Sequence, residues 1–414
     1  MVLFQLSIIA YIFAITIWIT SLPWTCSLQD YNEVMELPEV TTPVWVDSQL
    51  KMQAMAVALS GASRIAVDTE SNSMFAYQEQ VCLVQISIPS ADYLIDPLTV
   101  SDLSALAPVF ANPAVEKIFH AAEYDLICLK RDYHFEFANL FDTMLAARIL
   151  GITEVGLGSL LQNRFGVVLD KRYQRANWGR RPLTEEMLQY AALDTHYLFN
   201  LRDSLSADLK EKQLVELAEE DFRFISRVEG HGQNGNATNC WKVAGAHPIT
   251  PQQAAVLDQL CQYRDQQARR GDLPHFKVFS NQQLLDLSIS DVSTLEDISK
   301  VKGMSPGVLQ RHGSNLLEAV QRGKDSKPIP KPRRTRLPVD YLQRIDRLKK
   351  WRKSAASEMK VESDVVLPRE LMESIAYHHP GTTGDLSALM KDFPYRYRKY
   401  GQKILEILNE ENLA

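Results

Sequence analysis

Arg64–Glu70 reads RIAVDTE, and Val81–Ile88 reads VCLVQISI. Both stretches are dense in β-branched and apolar residues, the composition of strands entering a buried sheet. They are expected to lie side by side. Residues two apart on a strand share a face, so Asp68 and Glu70 project together from one strand end. Working outward, further strands are expected at Asp92–Ile95 and Lys117–Phe119. Helices are expected around Ser48–Leu59, Leu103–Phe110, Asp125–Lys130, Thr143–Leu150 and Thr184–Leu205. This alternation predicts a layered α/β domain over residues 40–228. Within it, Asp125 in HAAEYDL opens a helical run. Tyr190 and Asp194 in YAALD, four apart on a helix, share a face.

Carboxylates gathered in one pocket repel each other and persist only if protonated or neutralised by cations. Hard oxygen donors suit Mg²⁺ or Mn²⁺, ions that pair with phosphate substrates. Two such ions hold the attacking and leaving oxygens of an in-line phosphoryl displacement. The chemistry points to phosphodiester hydrolysis. Taken singly, each piece has a plainer reading: D-x-E as a solvated strand end, Y-x-x-x-D as a helix-surface pair, Asp125 as an N-cap.

Taken in order, DTE, HAAEYDL, FDTMLAARILG (Phe141–Gly151) and YAALDTHYL (Tyr190–Leu198) resemble the DEDD superfamily of 3′→5′ exonucleases, and within it ribonuclease D. Gln at 189 and Tyr at 190 place the third motif in the tyrosine subclass. The resemblance covers roughly residues 40–412 and implies a ribonuclease-H-like mixed sheet flanked by helices. Carried over by motif, Asp68 would bridge two metals, Glu70 and Asp194 would complete one site, and Asp125 would hold the other. Tyr190 would orient the attacking water. Asp142 fits the pattern but is expected to cap a helix or support the ligands from behind. His120 and His196 are assigned to packing or support. Lys171–Leu183 (KRYQRANWGRRPL) resembles the loop before the third motif. There Lys171, Gln174 and Arg181 are expected to meet the substrate backbone, and Trp178 to pack beneath the site. A surface loop anchored by a buried Trp explains Trp178 equally well.

Beyond Gly230–Asn239 (GHGQNGNATN), placed in a linker over 229–249, the chain becomes helical and duplicated. At an offset of 88 residues Leu257 aligns with Ile345, Leu260 with Leu348, Arg264 with Arg352, Gly313 with Gly401 and Leu317 with Leu405. Two small all-α domains are expected, at 250–323 and 338–412. The first (TPQQAAVLDQLCQYRDQQARRGDLP) resembles an HRDC domain, and the second is identified through the repeat. Tandem copies after a nuclease are typical of bacterial ribonuclease D. Arg322–Arg336 (RGKDSKPIPKPRRTR) carries seven basic residues and three prolines and spans the 324–337 linker, either solvated or tracking phosphates. Phe393–Tyr400 (FPYRYRKY) interleaves aromatics with Arg and Lys, a pattern suited to stacking bases, although its place in the repeat puts some rings in a core.

The net charge of −6 conceals an asymmetry. Residues 1–250 hold 18 basic and 30 acidic side chains, and residues 251–414 hold 27 and 21. An acidic first half suits metal binding, and a basic second half suits a polyanion. Five widely spaced cysteines without C-x-x-C indicate neither a zinc site nor a disulfide framework, and fit a reducing cytoplasm. Against this, Val2–Trp24 is almost wholly apolar, uncharged and long enough to cross a bilayer. The 1–34 leader reads as a membrane anchor, an unusual signal, or upstream sequence before a start at Met35; the last is the expectation taken.

By resemblance the substrate is RNA with a single-stranded 3′ end, chiefly tRNA precursors and other small structured RNAs, released as 5′-monophosphates. No obligate protein partner is evident. Two alternatives stand beside it: a DNA 3′→5′ exonuclease, for which no P-loop or helicase domain is present, and a nucleic-acid-binding protein with an inactive nuclease fold, against which all five motif positions are filled.

Overall fold

The computed structural model describes residues 37–230, 239–332 and 337–409. The apolar leader, most of the Gly/Asn-rich segment and residues 333–336 of the basic linker lie outside the described residues. Among the described residues, no helix is long and apolar enough to cross a membrane.

Six strands form one mixed sheet: β1 (Val44–Val46), β2 (Arg64–Ser71), β3 (Val81–Ile88), β4 (Ala91–Ile95), β5 (Glu116–Phe119) and β6 (Leu140–Asp142), in the order β1-β4-β3-β2-β5-β6. β2, β3 and β4 run antiparallel, while β1, β5 and β6 join in parallel. The near-continuous apolar run of β3 is explained by burial on both faces. Around the sheet lie α1 (Gln49–Ser60), α2 (Ala107–Ala111), α3 (Glu123–Tyr133), α4 (Thr143–Ile149), α5 (Leu157–Phe165), α6 (Glu185–His196), α7 (Leu198–Glu211) and α8 (Val215–Ile225). The helix expected over Thr184–Leu205 is two helices, broken at Tyr197. Two three-residue strands, β1 and β6, are too short for any periodicity to reveal.

The rest is helical: α9 (Cys240–Ala244), α10 (Pro251–Gly271), α11 (His275–Val278), α12 (Asn281–Ile289), α13 (Leu295–Ser299), α14 (Pro306–Asp325), α15 (Val339–Met359), α16 (Ser363–Val366), α17 (Arg369–His378), α18 (Thr383–Leu389) and α19 (Pro394–Asn409). The duplication holds in three dimensions. Leu257, Leu260, Leu284, Leu287, Leu316 and Val320 build one core. Ile345, Leu348, Met372, Ile375, Ile404 and Leu408 build the other, each displaced by 88 residues. Both first helices end in a left-handed residue, Asp272 (φ 46°) and Lys360 (φ 57°). Buried Arg264 donates to the Phe279 carbonyl at 3.2 Å, and its counterpart Arg352 to that of Leu367 at 2.9 Å.

Each helical unit is fastened to the α/β domain by the same end, the junction after its first helix. In the first, Asp272 accepts from the Tyr77 amide (3.0 Å), and Asp265 accepts from the Tyr77 hydroxyl (2.8 Å). In the second, Glu362 and Asp364 clamp Arg148 at 2.5 and 2.6 Å. The Lys360 carbonyl there lies so close to Gly151 that a Cβ would stand 2.7 Å from it. Gly151 also has φ +80°, so glycine is required twice over.

The FPYRYRKY segment follows its place in the repeat. Arg396 is fully buried, bonded to Glu220 (2.9 Å), Asp221 (2.8 Å) and the Val365 carbonyl (2.8 Å). Phe393 and Tyr400 are core residues of the second helical unit. The centre of this basic-aromatic run is thus a dock onto α8, not a surface for bases.

Candidate active site

β2 pairs with β5 only through Arg64–Ala66, so its later residues keep β3 on one side and an open edge on the other. Asp68 and Glu70 stand on that extension, opposite Gln85 and Leu83 and therefore on one face. α3 starts beside the open edge. Asp125 lies in its first turn, as the third residue and not at the cap, and accepts a short 2.5 Å hydrogen bond from Thr69. Asp142 caps α4, accepting from the Met144 and Leu145 amides (2.8 and 3.0 Å), and also receives the Ala121 and Ala122 amides (3.2 and 2.8 Å). It thereby ties the start of α3 to the end of β6.

α6 brings the other pair. Thr184 caps it, accepting from the Met187 amide at 3.3 Å. Its far end is pinned to the β3–β4 hairpin by a buried network. Ser87 bonds Asp92 (2.5 Å) and Thr195 (2.7 Å), and His196 bonds the other Asp92 oxygen (2.8 Å). His196 is structural, as expected. Held at both ends, α6 turns Tyr190 and Asp194 onto the cavity that Asp68 and Glu70 line, and the Tyr190 hydroxyl bonds Asp194.

Asp68, Glu70 and Asp194 each offer an oxygen within 4.8 Å of the others. Asp125 is not in that tight trio but is close enough to Asp68 for their charges to interact. No described Lys or Arg forms an ion pair with any of the four. Every carboxyl is raised: burial is the main cause, and the neighbouring acids add to it. Glu70 reaches about 10 and Asp194 about 7, the latter held back by the Tyr190 hydrogen bond. Burial and the surrounding acids also raise Tyr190, so its phenol keeps its proton. A half-buried, all-oxygen, uncompensated acid cluster is a fitting set of donors for divalent cations.

The cavity is about 370 Å³, and Lys171, Gln174 and His120 lie on its wall with residues 156–159. His120 bonds Thr143 (2.9 Å), and burial lowers it to about 4, so it is neutral there. Trp178 is buried with its ring 6.1 Å from that of Tyr190, a support under the site. Arg181 is a correction. Its guanidinium is bound to Asp96 at 2.6 and 2.7 Å and to the Cys82, Trp178 and Arg180 carbonyls. It fastens the loop to the sheet and is not among the cavity residues. The support from Thr69, and the 156–159 wall, went unseen in the sequence. Thr69 could have been found, since it separates the two acids of the motif.

A 3′-5′ exonuclease family profile matches residues 43–210, and an HRDC domain profile matches 253–320 and again 342–408. The chain carries a 3′-5′ exonuclease domain followed by two HRDC domains. It is 33% identical over 294 residues to the exosome complex exonuclease RRP6 of Saccharomyces cerevisiae, covering 67% of this chain and 40% of that one. Ribonuclease D of Nitrobacter hamburgensis is 24% identical and matches 82% of this chain over 90% of its own length. Among solved structures, Escherichia coli RNase D superposes with a TM-score of 0.65 at 23% identity, over 89% of this chain and 99% of that one. The RRP6 catalytic core of Trypanosoma brucei gives 0.62 at 27% identity, over 70% and 83%. The chain spans less than half the length of the curated RRP6-type relatives it matches.

Proposed function

We propose that this chain is a 3′→5′ exoribonuclease that trims RNAs with single-stranded 3′ ends, tRNA precursors and other small structured RNAs among them, releasing 5′-nucleoside monophosphates. The observation that carries this reading is the uncompensated trio Asp68, Glu70 and Asp194 on the wall of one cavity, with the protonated Tyr190 hydroxyl bonded to Asp194. Asp68, Glu70, Asp194 and Asp125 would hold two Mg²⁺ or Mn²⁺ ions, which supply charge neutralisation at the attacking and leaving oxygens. Tyr190 keeps its proton, fixes the Asp194 carboxylate and presents a hydroxyl to orient water. Asp125, set by Thr69, faces the same strand end from α3. Lys171 and Gln174, on the cavity wall, would meet the phosphate backbone.

Ribonuclease D is favoured over an RRP6-like role because the Nitrobacter protein is matched over 90% of its length. The four described cysteines are all buried thiols, which supports work in the cytoplasm. The test compares a tRNA bearing a short 3′ extension with single-stranded DNA, in Mg²⁺, Mn²⁺ or EDTA. Metal-dependent trimming of the RNA, abolished in Asp68→Ala, is expected. Preferred loss of DNA, or full activity in Asp68→Ala, overturns the reading.

A further inference from the structure

His120 is bonded to the protein through one ring nitrogen, and that bond decides what the other nitrogen can do. Nδ1 lies 2.9 Å from the Thr143 hydroxyl. The hydroxyl has a single hydrogen, which it donates to the Phe119 carbonyl at 3.0 Å. Thr143 is left to accept from the ring, so Nδ1 carries the hydrogen and Nε2 keeps a bare lone pair. Among the described residues no group is bonded to Nε2. The ring is not sealed in the core either. It stands on the wall of the cavity that Asp68, Glu70 and Asp194 line.

The backbone is shaped to hold it there. β5 ends at Phe119 and α3 begins at Glu123. Between them Ala121 has φ +62°, a left-handed conformation that a residue with a Cβ adopts only at a cost. Asp142 fixes the turn by accepting the Ala121 and Ala122 amides at 3.2 and 2.8 Å. A buried carboxylate and a strained residue thus set one imidazole on the turn that also delivers Asp125. An acceptor nitrogen then chooses its partner by chemistry. Phosphate oxygens have no hydrogen to give it. The donors of a nucleotide are its sugar hydroxyls and the amino groups of some bases. Amino groups change from base to base, whereas the 2′-hydroxyl recurs on every ribonucleotide and is missing from DNA. Because His120 shares its cavity with the carboxylates, the sugar it meets is one that flanks the scissile bond.

Resting on the exoribonuclease reading above, we propose that His120 is a specificity-determining residue, whose Nε2 accepts a hydrogen bond from a ribose 2′-hydroxyl beside the scissile bond and so makes the site prefer RNA over DNA. Thr143 and Asp142 act through it, one setting its tautomer and the other its turn.

The test uses the full chain with Mg²⁺ or Mn²⁺, its His120→Ala and His120→Gln variants, and RNA oligomers of one sequence. Some carry a single 2′-deoxy or 2′-fluoro sugar on either side of the scissile bond. A 2′-fluoro group keeps the sugar shape of RNA but has no hydrogen to donate. Wild-type kcat/KM is expected to fall about tenfold with either sugar at one of the two positions, near the upper end for one neutral hydrogen bond. His120→Ala is expected to cost about tenfold on unmodified RNA, and the two changes together no more than either alone. His120→Gln, whose amide oxygen reaches the place of Nε2, should restore most of the rate. In the metal-free chain, NMR of isotope-labelled histidine should find the His120 hydrogen on Nδ1 and Nε2 bare. Costs that multiply to about a hundredfold would mean that His120 serves every substrate alike, and they overturn the proposal. So does a hydrogen on Nε2, or a wild-type rate indifferent to the 2′ position. In each of those cases RNA trimming itself survives. A wild-type chain that trims no RNA overturns the exoribonuclease reading, and this proposal with it.

Discussion

Glu220 and Asp221 on α8 are buried against Arg396, at 2.9 and 2.8 Å. Asp68, Glu70 and Asp194 each bring an oxygen within 4.8 Å of the others, with no described guanidinium or ammonium paired to them. Desolvation raises the carboxyls of both groups, Glu220 even against the pull of Arg396. What differs is where the neutralising charge comes from. At α8 it is a side chain of the same molecule, so the acids become part of the architecture. At β2 it must arrive from solution, so the acids become a site. Burial and carboxylate count do not separate structure from function here; the presence of an internal counter-ion does.

The largest effect should come from breaking the compensated pair. Arg396→Ala leaves Glu220 buried without its partner and is expected to cost about 3–5 kcal/mol in urea unfolding of the full chain. Replacing Arg396 and Glu220 together with Leu should recover most of that loss, since an apolar pair has no charge to desolvate. If the single and double variants unfold alike, the comparison fails at its structural end.

The uncompensated group should respond in the opposite sense. Asp68→Asn removes one mutually repelling charge and is expected to stabilise the metal-free chain by about 0.5–2 kcal/mol while abolishing trimming. A thermal scan in EDTA beside an activity assay checks both halves.

A pH series sharpens the contrast. Because Asp194 and Glu70 are raised in the folded chain, to about 7 and about 10, they hold protons that the unfolded chain has released above its values of 3.8 and 4.5. Their contribution is therefore complete below about pH 4 and falls away as pH rises through 7 toward 10. The Tm difference between Mn²⁺-loaded and metal-free protein should widen steadily over that window, and a constant difference would contradict the assignment. The smallest effect is expected at the exposed margin of the second dock. There Glu362→Ala, at a carboxylate left 71% exposed, should change stability by no more than about 1 kcal/mol.

The same contrast explains what could be read beforehand. β2 and β3 were legible because β-branched density and face-sharing are local properties. The five motif residues were legible because they fall in short ordered segments, and the structure brings Asp68, Glu70, Tyr190 and Asp194 to one cavity, with Asp125 beside it. The HRDC repeat was legible because its core spacing is copied intact. Arg181 was misread and Arg396 left unplaced for one reason. Each sits in a basic-aromatic run that looks made for phosphate, and each is claimed by an acid far away in sequence: Asp96, 85 residues before Arg181, and Glu220, 176 residues before Arg396. No window of the sequence contains both partners. The break at Tyr197 was hidden too, because the helical pattern continues through it.

That separation of 176 residues has a meaning in time. A ribosome adding about 5–20 residues per second needs roughly 10–35 s to travel from Glu220 to Arg396. For that interval the nascent nuclease carries, on α8, a nearly finished surface whose acids have nothing to neutralise them. Gly151 likewise waits bare until the Lys360 backbone arrives to lie against it. A chain stalled or cut in the second HRDC domain thus keeps the acid cluster of β2 and α6 yet cannot settle its own charge. Such a chain is marked as unfinished by the protein itself.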